Sequence, residues 1–297
     1  MSKWPSRRPA GRIAYVDGRY LPHRRAGVHI EDRGLQFADA VYEALRIAGG
    51  RLLDEAEHLD RLERSLREIE MAMPMGRAAL CHVLHETVRR NGLSEGVLYL
   101  QVTRGAFRRD HPIPAGPSKP TLIVTVHRLD LNAIARRHVE GISVVTAPDG
   151  RWSRCDVKST QLLANLLAKT AARRAGAFEV WLVDREGLVT EGASTTAWIV
   201  DREGRLLTRD LSHAILPGVT RRVLLKIAAA AQIPVVERAF TPEEVARARE
   251  AFITAATAGV TPVVAIDGHR IGDGRPGPLA ARLAGLYLRH GLKPVRN

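Results

Sequence analysis

The chain has 297 residues, 45% of them hydrophobic, enough to bury a sizeable core in one large or two ordinary domains, and two are expected. Its formal net charge of +13 raises nucleic acid as a partner, but the basic residues are dispersed among Asp and Glu and only 5% of residues are aromatic, so the charge reads as compositional bias with attraction for small anions. Cys81 and Cys155 offer neither a disulfide framework nor metal spacing, the basic N-terminus MSKWPSRRPAGR precedes no signal-length apolar run, and no stretch reaches the roughly eighteen apolar residues of a membrane span. A cytoplasmic protein that binds neither membrane nor nucleic acid is expected.

In chain order, residues 12–53 alternate in short apolar runs broken by Asp17-Gly18, Arg33-Gly34 and Gly49-Gly50, which predicts strands joined by turns. From Asp54 to Met71, apolar Leu59, Leu62, Leu66 and Ile69 recur at helical spacing with Asp54 as cap. A second helix is expected from about Gly76 to Asn91-Gly92, where Gly supplies a left-handed end. VLYLQVTR (97–104) and TLIVTVHRL (121–129) read as strands flanking a long basic loop, GAFRRDHPIPAGPSKP, a candidate binding element. Residues 130–138 look like a link, dividing the chain into a small N-terminal domain (1–130) and a larger C-terminal one (131–297). The second half predicts strands at 142–147, 178–183 and 194–200 and near 235, 252 and 263, with helices at 159–175, 219–231 and 278–290. DREG at 184 and again at 201 predicts hairpin turns.

Lys158 ends RWSRCDVK, where a strand is expected to meet a helix, and it is one of six lysines against thirty-nine arginines. A lysine amine attacks a carbonyl only when unprotonated, so a nucleophilic role needs burial or neighbouring charge; a surface lysine is the plain alternative. Glu191, in VTEGAST, is a carboxylate that could hold a protonated ring nitrogen, or a hairpin acid facing water. In ILPGVTRRVLL, Pro217-Gly218 precede a helix whose first turn holds Val219 and Thr220, a place for a phosphate monoester or an ordinary Pro-started helix. Arg109 and His111, in RRDHP, could clamp a carboxylate or simply belong to a solvated basic loop.

Taken together and in this order, these motifs resemble the class IV (fold type IV) pyridoxal-phosphate aminotransferases, from about Ile13 to Gly291. The resemblance implies a mixed α/β fold (α+β) with a small N-terminal α/β domain and a larger C-terminal pseudo-barrel domain that carries the cofactor lysine. It implies Lys158 as the Schiff-base lysine of pyridoxal 5'-phosphate and Glu191 as the ring-nitrogen partner. Arg61 of HLDRL, Ser194 of TEGAST, and Leu216, Val219 and Thr220 of ILPGVTR complete the cofactor contacts with Ala256 and Thr257 of ITAATAGVTPV. Relatives often carry hydroxyls at Ala255 and Ala256, so backbone N–H groups are expected to serve there.

Within the family, the sequence is most similar to D-amino-acid (D-alanine) aminotransferases. EDRGLQFADAVYEALR resembles their first active-site strand with Tyr42 facing substrate, and TRGAFRRDH carries an Arg-x-His pair, Arg109 and His111, that such enzymes use to trap the α-carboxylate. That loop reaches a neighbouring subunit in the family, which implies a homodimer with shared active sites. The implied substrates are D-amino acids and 2-oxo acids such as 2-oxoglutarate. A branched-chain L-aminotransferase, an aminodeoxychorismate lyase and an R-selective amine transaminase share the cofactor motifs and stand as alternatives; Gly259, where many relatives carry Glu, is also found among the amine transaminases.

Overall fold

A computed structural model of the chain describes residues 11–116 and 119–292; the N-terminal segment, read above as holding no signal peptide, lies largely outside them. The chain divides into two compact units. The first runs to Leu129 and takes in Lys158–Thr160; the second comprises Asp130–Val157 and the chain from Gln161.

In the first unit, β1 (Ile13–Val16) and β2 (Arg19–Pro22) make a hairpin whose turn residues Asp17 and Gly18 both take positive φ, the geometry that suits a two-residue loop. Arg33-Gly34, expected as a turn between strands, instead opens a short helix, α1 (Arg33–Phe37), because the Asp32 carboxylate accepts from the Gly34 amide at 2.8 Å. β3 (Ala40–Ala48) and β4 (Arg51–Leu52) then turn at Gly49-Gly50. α2 (Glu55–Glu68) buries Leu59, Leu62 and Leu66, but Asp54 precedes it in the left-handed region and its side chain makes no cap. α3 (Arg77–Asn91) ends at left-handed Gly92, as the sequence predicts. β5 (Glu95–Thr103) and β6 (Thr121–His127) complete an antiparallel sheet of order β2-β1-β6-β5-β3-β4. Helix α2 packs on β3 and α3 on β1 and β6.

Lys158–Thr160 belong to this sheet. The Tyr42 amide donates to the Lys158 carbonyl at 3.0 Å and the Thr160 amide to the Ala40 carbonyl at 3.1 Å, so the segment expected to begin a helix pairs with the start of β3 instead.

The second unit opens with α4 (Leu131–Glu140), where a link was expected; the Asp130 carboxylate caps it by accepting from the Ala133 amide at 2.9 Å. There follow β7 (Ile142–Pro148), α5 (Leu163–Arg174), β8 (Glu179–Val183), β9 (Val189–Gly192), β10 (Thr196–Val200) and β11 (Leu206–Thr208). After α6 (Val219–Ala230) come β12 (Val235–Glu237), α7 (Pro242–Arg247), β13 (Glu250–Ala255), β14 (Gly259–Ile266), β15 (His269–Arg270) and α8 (Pro278–Leu292). Both DREG segments turn hairpins, β8 to β9 and β10 to β11.

The sheet runs β12-β11-β10-β13-β14-β7-β8-β9, with β15 beside β14. Three residues join β9, at one end of this path, to β10 near the other, a span of roughly 10 Å, so the sheet must curl back on itself. Side-chain alternation records the consequence. Ala197, Ile199, Ala251 and Ile253 share one core with Ile142, Val144 and Trp181 from the far strands, the interior of a barrel-like sheet. Their neighbours Trp198, Val200 and Phe252 face outward and are covered by Val223 and Leu224 of α6 and Leu283 of α8. Val180 and Leu182 pack with Ala172 of α5. Among the described residues no helix is long and apolar enough to cross a membrane, and no His/Cys/Asp/Glu group is placed to hold a metal.

Candidate active site

Lys158 is fixed by its own backbone. Its carbonyl accepts from Tyr42, and its amide donates to the hydroxyl of Ser65, a fully buried residue of α2, at 3.3 Å. Its side chain extends over the Tyr42 ring, Nζ 4.2 Å from the centroid, close enough for attraction between the ring face and an ammonium. Tyr42 in turn packs against Tyr99 on the neighbouring strand, centroids 5.6 Å apart. Burial, then the nearby Tyr42 phenol, push Tyr99 up to about 12, so its hydroxyl stays neutral and hydrogen-bonds Gln101 at 2.8 Å. The structure thus brings two sequence-predicted residues, Lys158 and Tyr42, together.

Arg61 lies in α2 with its Nε and Nη2 on the Glu43 carboxylate at 2.7 and 2.8 Å, and His58 Nδ1 meets the same carboxylate at 2.7 Å. Glu43 is completely buried. Burial alone would raise its carboxyl, but the charge and hydrogen bonds of Arg61, with those of His58, hold it well below the usual range. A buried ion pair of this kind fixes the orientation of the guanidinium more than it stabilises the fold. The sequence held a signal for it: the period-two burial of β3 places Glu43 on the same face as Val41, Leu45 and Ile47, and a carboxylate there requires partners.

Arg109 and His111 lie on the loop after β5, both exposed, with the Arg109 guanidinium 5.1 Å from the centre of the Phe37 ring and the His111 ring 5.6 Å from it.

In the second unit, Glu191 is a strand residue of β9 and nearly buried. Its Oε1 accepts from Arg151 Nη1 and from the Leu216 amide, the latter at 3.1 Å. Arg151 also holds Asp149 through Nε and Nη2 at 2.9 and 2.8 Å and the Ala214 carbonyl at 3.0 Å. Burial works against charge on Arg151, yet the flanking carboxylates Asp149 and Glu191 outweigh it and hold the guanidinium protonated. Thr190 completes the cluster by donating to Asp149 at 2.7 Å. Sequence reasoning missed Arg151 and Asp149; nothing in their local pattern separates them from the chain's many other charged residues.

The turn after Glu191 is tight. A Cβ at Gly192 would strike the Thr195 hydroxyl, and the Gly192 amide donates to the Thr195 carbonyl at 2.7 Å. Ser194 Oγ donates to Glu179 Oε2 at 3.1 Å, and Glu179 pairs with Lys169 at 2.7 Å. Val219 and Thr220, both buried, form the first turn of α6, whose N-cap Gly218 brings no capping side chain. Ala256 and Thr257 sit half-buried in the turn between β13 and β14. Cys155 is no competing nucleophile: burial pushes its thiol up to about 11.

The comparisons with known proteins all point to aminotransferases. Residues 40–266 match the model of the amino-transferase class IV family. The chain is 41% identical over 263 residues to the D-alanine aminotransferase of Bacillus licheniformis, covering 89% of this chain and 91% of that protein. It is 37% identical over 275 residues to the D-alanine aminotransferase of Listeria innocua serovar 6a, covering 92% and 94%. Among solved structures it resembles the branched-chain amino acid aminotransferase of Escherichia coli, with TM-score 0.86, 25% identity and coverage of 93% and 95%. The T.th. branched-chain amino acid aminotransferase with pyridoxamine 5'-phosphate gives TM-score 0.86, 27% identity and 96% coverage of both chains.

Proposed function

The chain belongs to the class IV aminotransferases, and on that premise we propose that it transfers the amino group of a D-amino acid such as D-alanine to a 2-oxo acid such as 2-oxoglutarate, with pyridoxal 5'-phosphate as cofactor. The observation that carries the reading is Lys158: an amine anchored through its backbone to β3 and α2 and directed over an aromatic ring.

The residues present fit the cofactor. Glu191 is a buried carboxylate already oriented by two donors, suited to a cationic ring nitrogen. The first turn of α6 holds buried Val219 and Thr220 and has no capping side chain at Gly218, where a Cβ would crowd Thr196 Oγ1 at 3.0 Å, so its N-terminal amides suit a phosphate. We assign Val219, Thr220 and Arg61 to the phosphate with Ala256 and Thr257, and Leu216 and Ser194 to the surrounding contacts. Arg61 would neutralise phosphate charge from an orientation Glu43 fixes.

When bound, the cofactor's conjugated ring accepts the electron pair left by the departing α-proton. Lys158 Nζ would take that proton and hold it for delivery to the cofactor carbon rather than back to the substrate; a positioned base of this kind contributes about 100- to 10,000-fold. Glu191 would accept from the ring nitrogen and hold it cationic, with Arg151 ion-paired to the same carboxylate. Arg109 and His111 donate to the substrate carboxylate, which decides the enantiomer whose α-proton points at Lys158. Tyr42 lines the substrate side. Both trap residues are exposed on the single chain, which supports a homodimer in which the loop serves the neighbouring subunit.

A cytoplasmic enzyme with amino acids and 2-oxo acids as its partners agrees with the two free thiols, Cys81 and Cys155. The similar solved structures are branched-chain enzymes, so the L-specific reading is the one to test against. Measuring the 2-oxo acid formed from each donor with 2-oxoglutarate as acceptor, pyruvate from D-alanine and 4-methyl-2-oxopentanoate from L-leucine, separates them: activity on L-leucine alone would overturn the proposal.

A further inference from the structure

Arg33 is a buried cation that the reaction does not use. Its Nε donates to Asp39 Oδ2 at 2.8 Å, while Nη1 and Nη2 donate to two consecutive carbonyls of the loop, Asp110 O at 2.7 Å and His111 O at 3.2 Å. Its guanidinium also stacks 4.7 Å from the Phe37 ring centre, the same ring that carries Arg109 and His111. Asp39 is also held by Arg104, whose Nε donates to the same Oδ2 at 2.7 Å and whose Nη2 donates to Oδ1 at 2.9 Å, and Arg104 is itself tied to the Ile69 and Glu70 carbonyls. A continuous chain of charged hydrogen bonds therefore runs from the end of α2 through Asp39 to the backbone of the loop.

We infer that Arg33 is a positioning residue for substrate carboxylate recognition: its planar fork sets the backbone of residues 110 and 111 and so the directions in which Arg109 and His111 are presented. The inference rests on the proposed role of Arg109 and His111 as the carboxylate trap. A guanidinium is required because three donors must point along fixed directions to one carboxylate and two carbonyls; an ammonium is a point charge that satisfies Asp39 without spanning both carbonyls. Displacing a binding group by about 1 Å costs up to about 100-fold, and the effect falls on groups that hold the substrate.

The test compares the holoenzyme with Arg33→Lys, which keeps the charge beside Asp39, with Arg33→Gln, which does not, and with Arg109→Leu. Arg33→Lys should raise KM for D-alanine about tenfold with kcat within about threefold. Amides of residues 107–112 should exchange hydrogen faster while those of β5 and β6 do not change. Arg33→Gln should show a larger effect in the same direction. If Arg109→Leu raises KM but Arg33→Lys changes neither KM nor loop exchange, the positioning role is wrong and the trap stands. An equal loss of kcat and melting temperature at unchanged KM would make Arg33 merely structural and also overturn the inference. If Arg109→Leu leaves KM unchanged, the trap itself fails and the inference with it.

Discussion

The Nζ of Lys158 lies 4.2 Å from the centre of the Tyr42 ring, and the backbones of the same two residues are hydrogen-bonded at 3.0 Å. The amine is therefore positioned by the sheet that bears its aromatic neighbour, through a three-residue segment that leaves the second unit to pair with β3. Removing the amine should leave this pairing intact, since it is made by main-chain atoms. Lys158→Ala is accordingly expected to keep its circular dichroism spectrum and lose turnover by at least about 1,000-fold, within the range for a positioned base. Residual activity within tenfold of the wild type in a steady-state assay would remove Lys158 from the chemistry.

Glu191→Gln keeps a carbonyl oxygen for Arg151 and the Leu216 amide but deletes the charge. Turnover should fall about 10- to 100-fold with cofactor still bound, and urea unfolding should show a loss of about 1–3 kcal/mol as Arg151 retains only Asp149 as an ionic partner. An unchanged kcat would separate Glu191 from the reacting ring.

Gly192→Ala must move the Thr195 hydroxyl, and the new Cβ would also lie 3.2 Å from Glu179 Cγ. A destabilisation of about 1–3 kcal/mol is expected, accompanied by weaker retention of cofactor on dialysis. A fully stable variant would show that the turn relaxes more easily than its contacts imply.

Glu43, Asp39 and Asp149 share one pH signature. Burial alone would raise all three carboxyls, and their arginine partners more than offset it, so each titrates below its ordinary value. A depressed folded value contributes stability that is complete above the unfolded value and lost as pH falls towards the folded one. Urea midpoints should therefore hold from pH 7 to about 5 and fall steeply below about 4.5. Glu43→Gln should lower the unfolding free energy at pH 7 by about 3–5 kcal/mol, because it removes the carboxylate charge that Arg61 pairs with in the core. A midpoint that stays level down to pH 3 would contradict the ion-pair account.

The sequence was most legible where one residue type decides the local structure. The leucines of α2, Gly92 after α3 and the two DREG hairpins are each set by periodicity or by turn chemistry. It was least legible where a side chain reaches across the fold. Arg33-Gly34 has the composition of a turn, yet Asp32 caps a helix there. Residues 130–138 read as a link, yet Asp130 caps a helix there, one that buries no residue. α7 carries a capping box, Thr241 and Glu244 on either side of a conspicuous Pro242, that a closer reading of local chemistry finds. In the site, Lys158 and Glu191 were visible as motifs, whereas Arg151, Asp149 and the Arg33 clamp depend on contacts between residues distant in sequence, which no local pattern encodes.

The most direct test of the central claim is the visible absorption spectrum of the purified, cofactor-loaded protein before and after D-alanine, with L-leucine in parallel. The account predicts a lysine-bound pyridoxal band that is absent from Lys158→Ala, is discharged by D-alanine and is unaffected by L-leucine. A band that responds to L-leucine and not to D-alanine, or no band at all after cofactor is supplied, would contradict it.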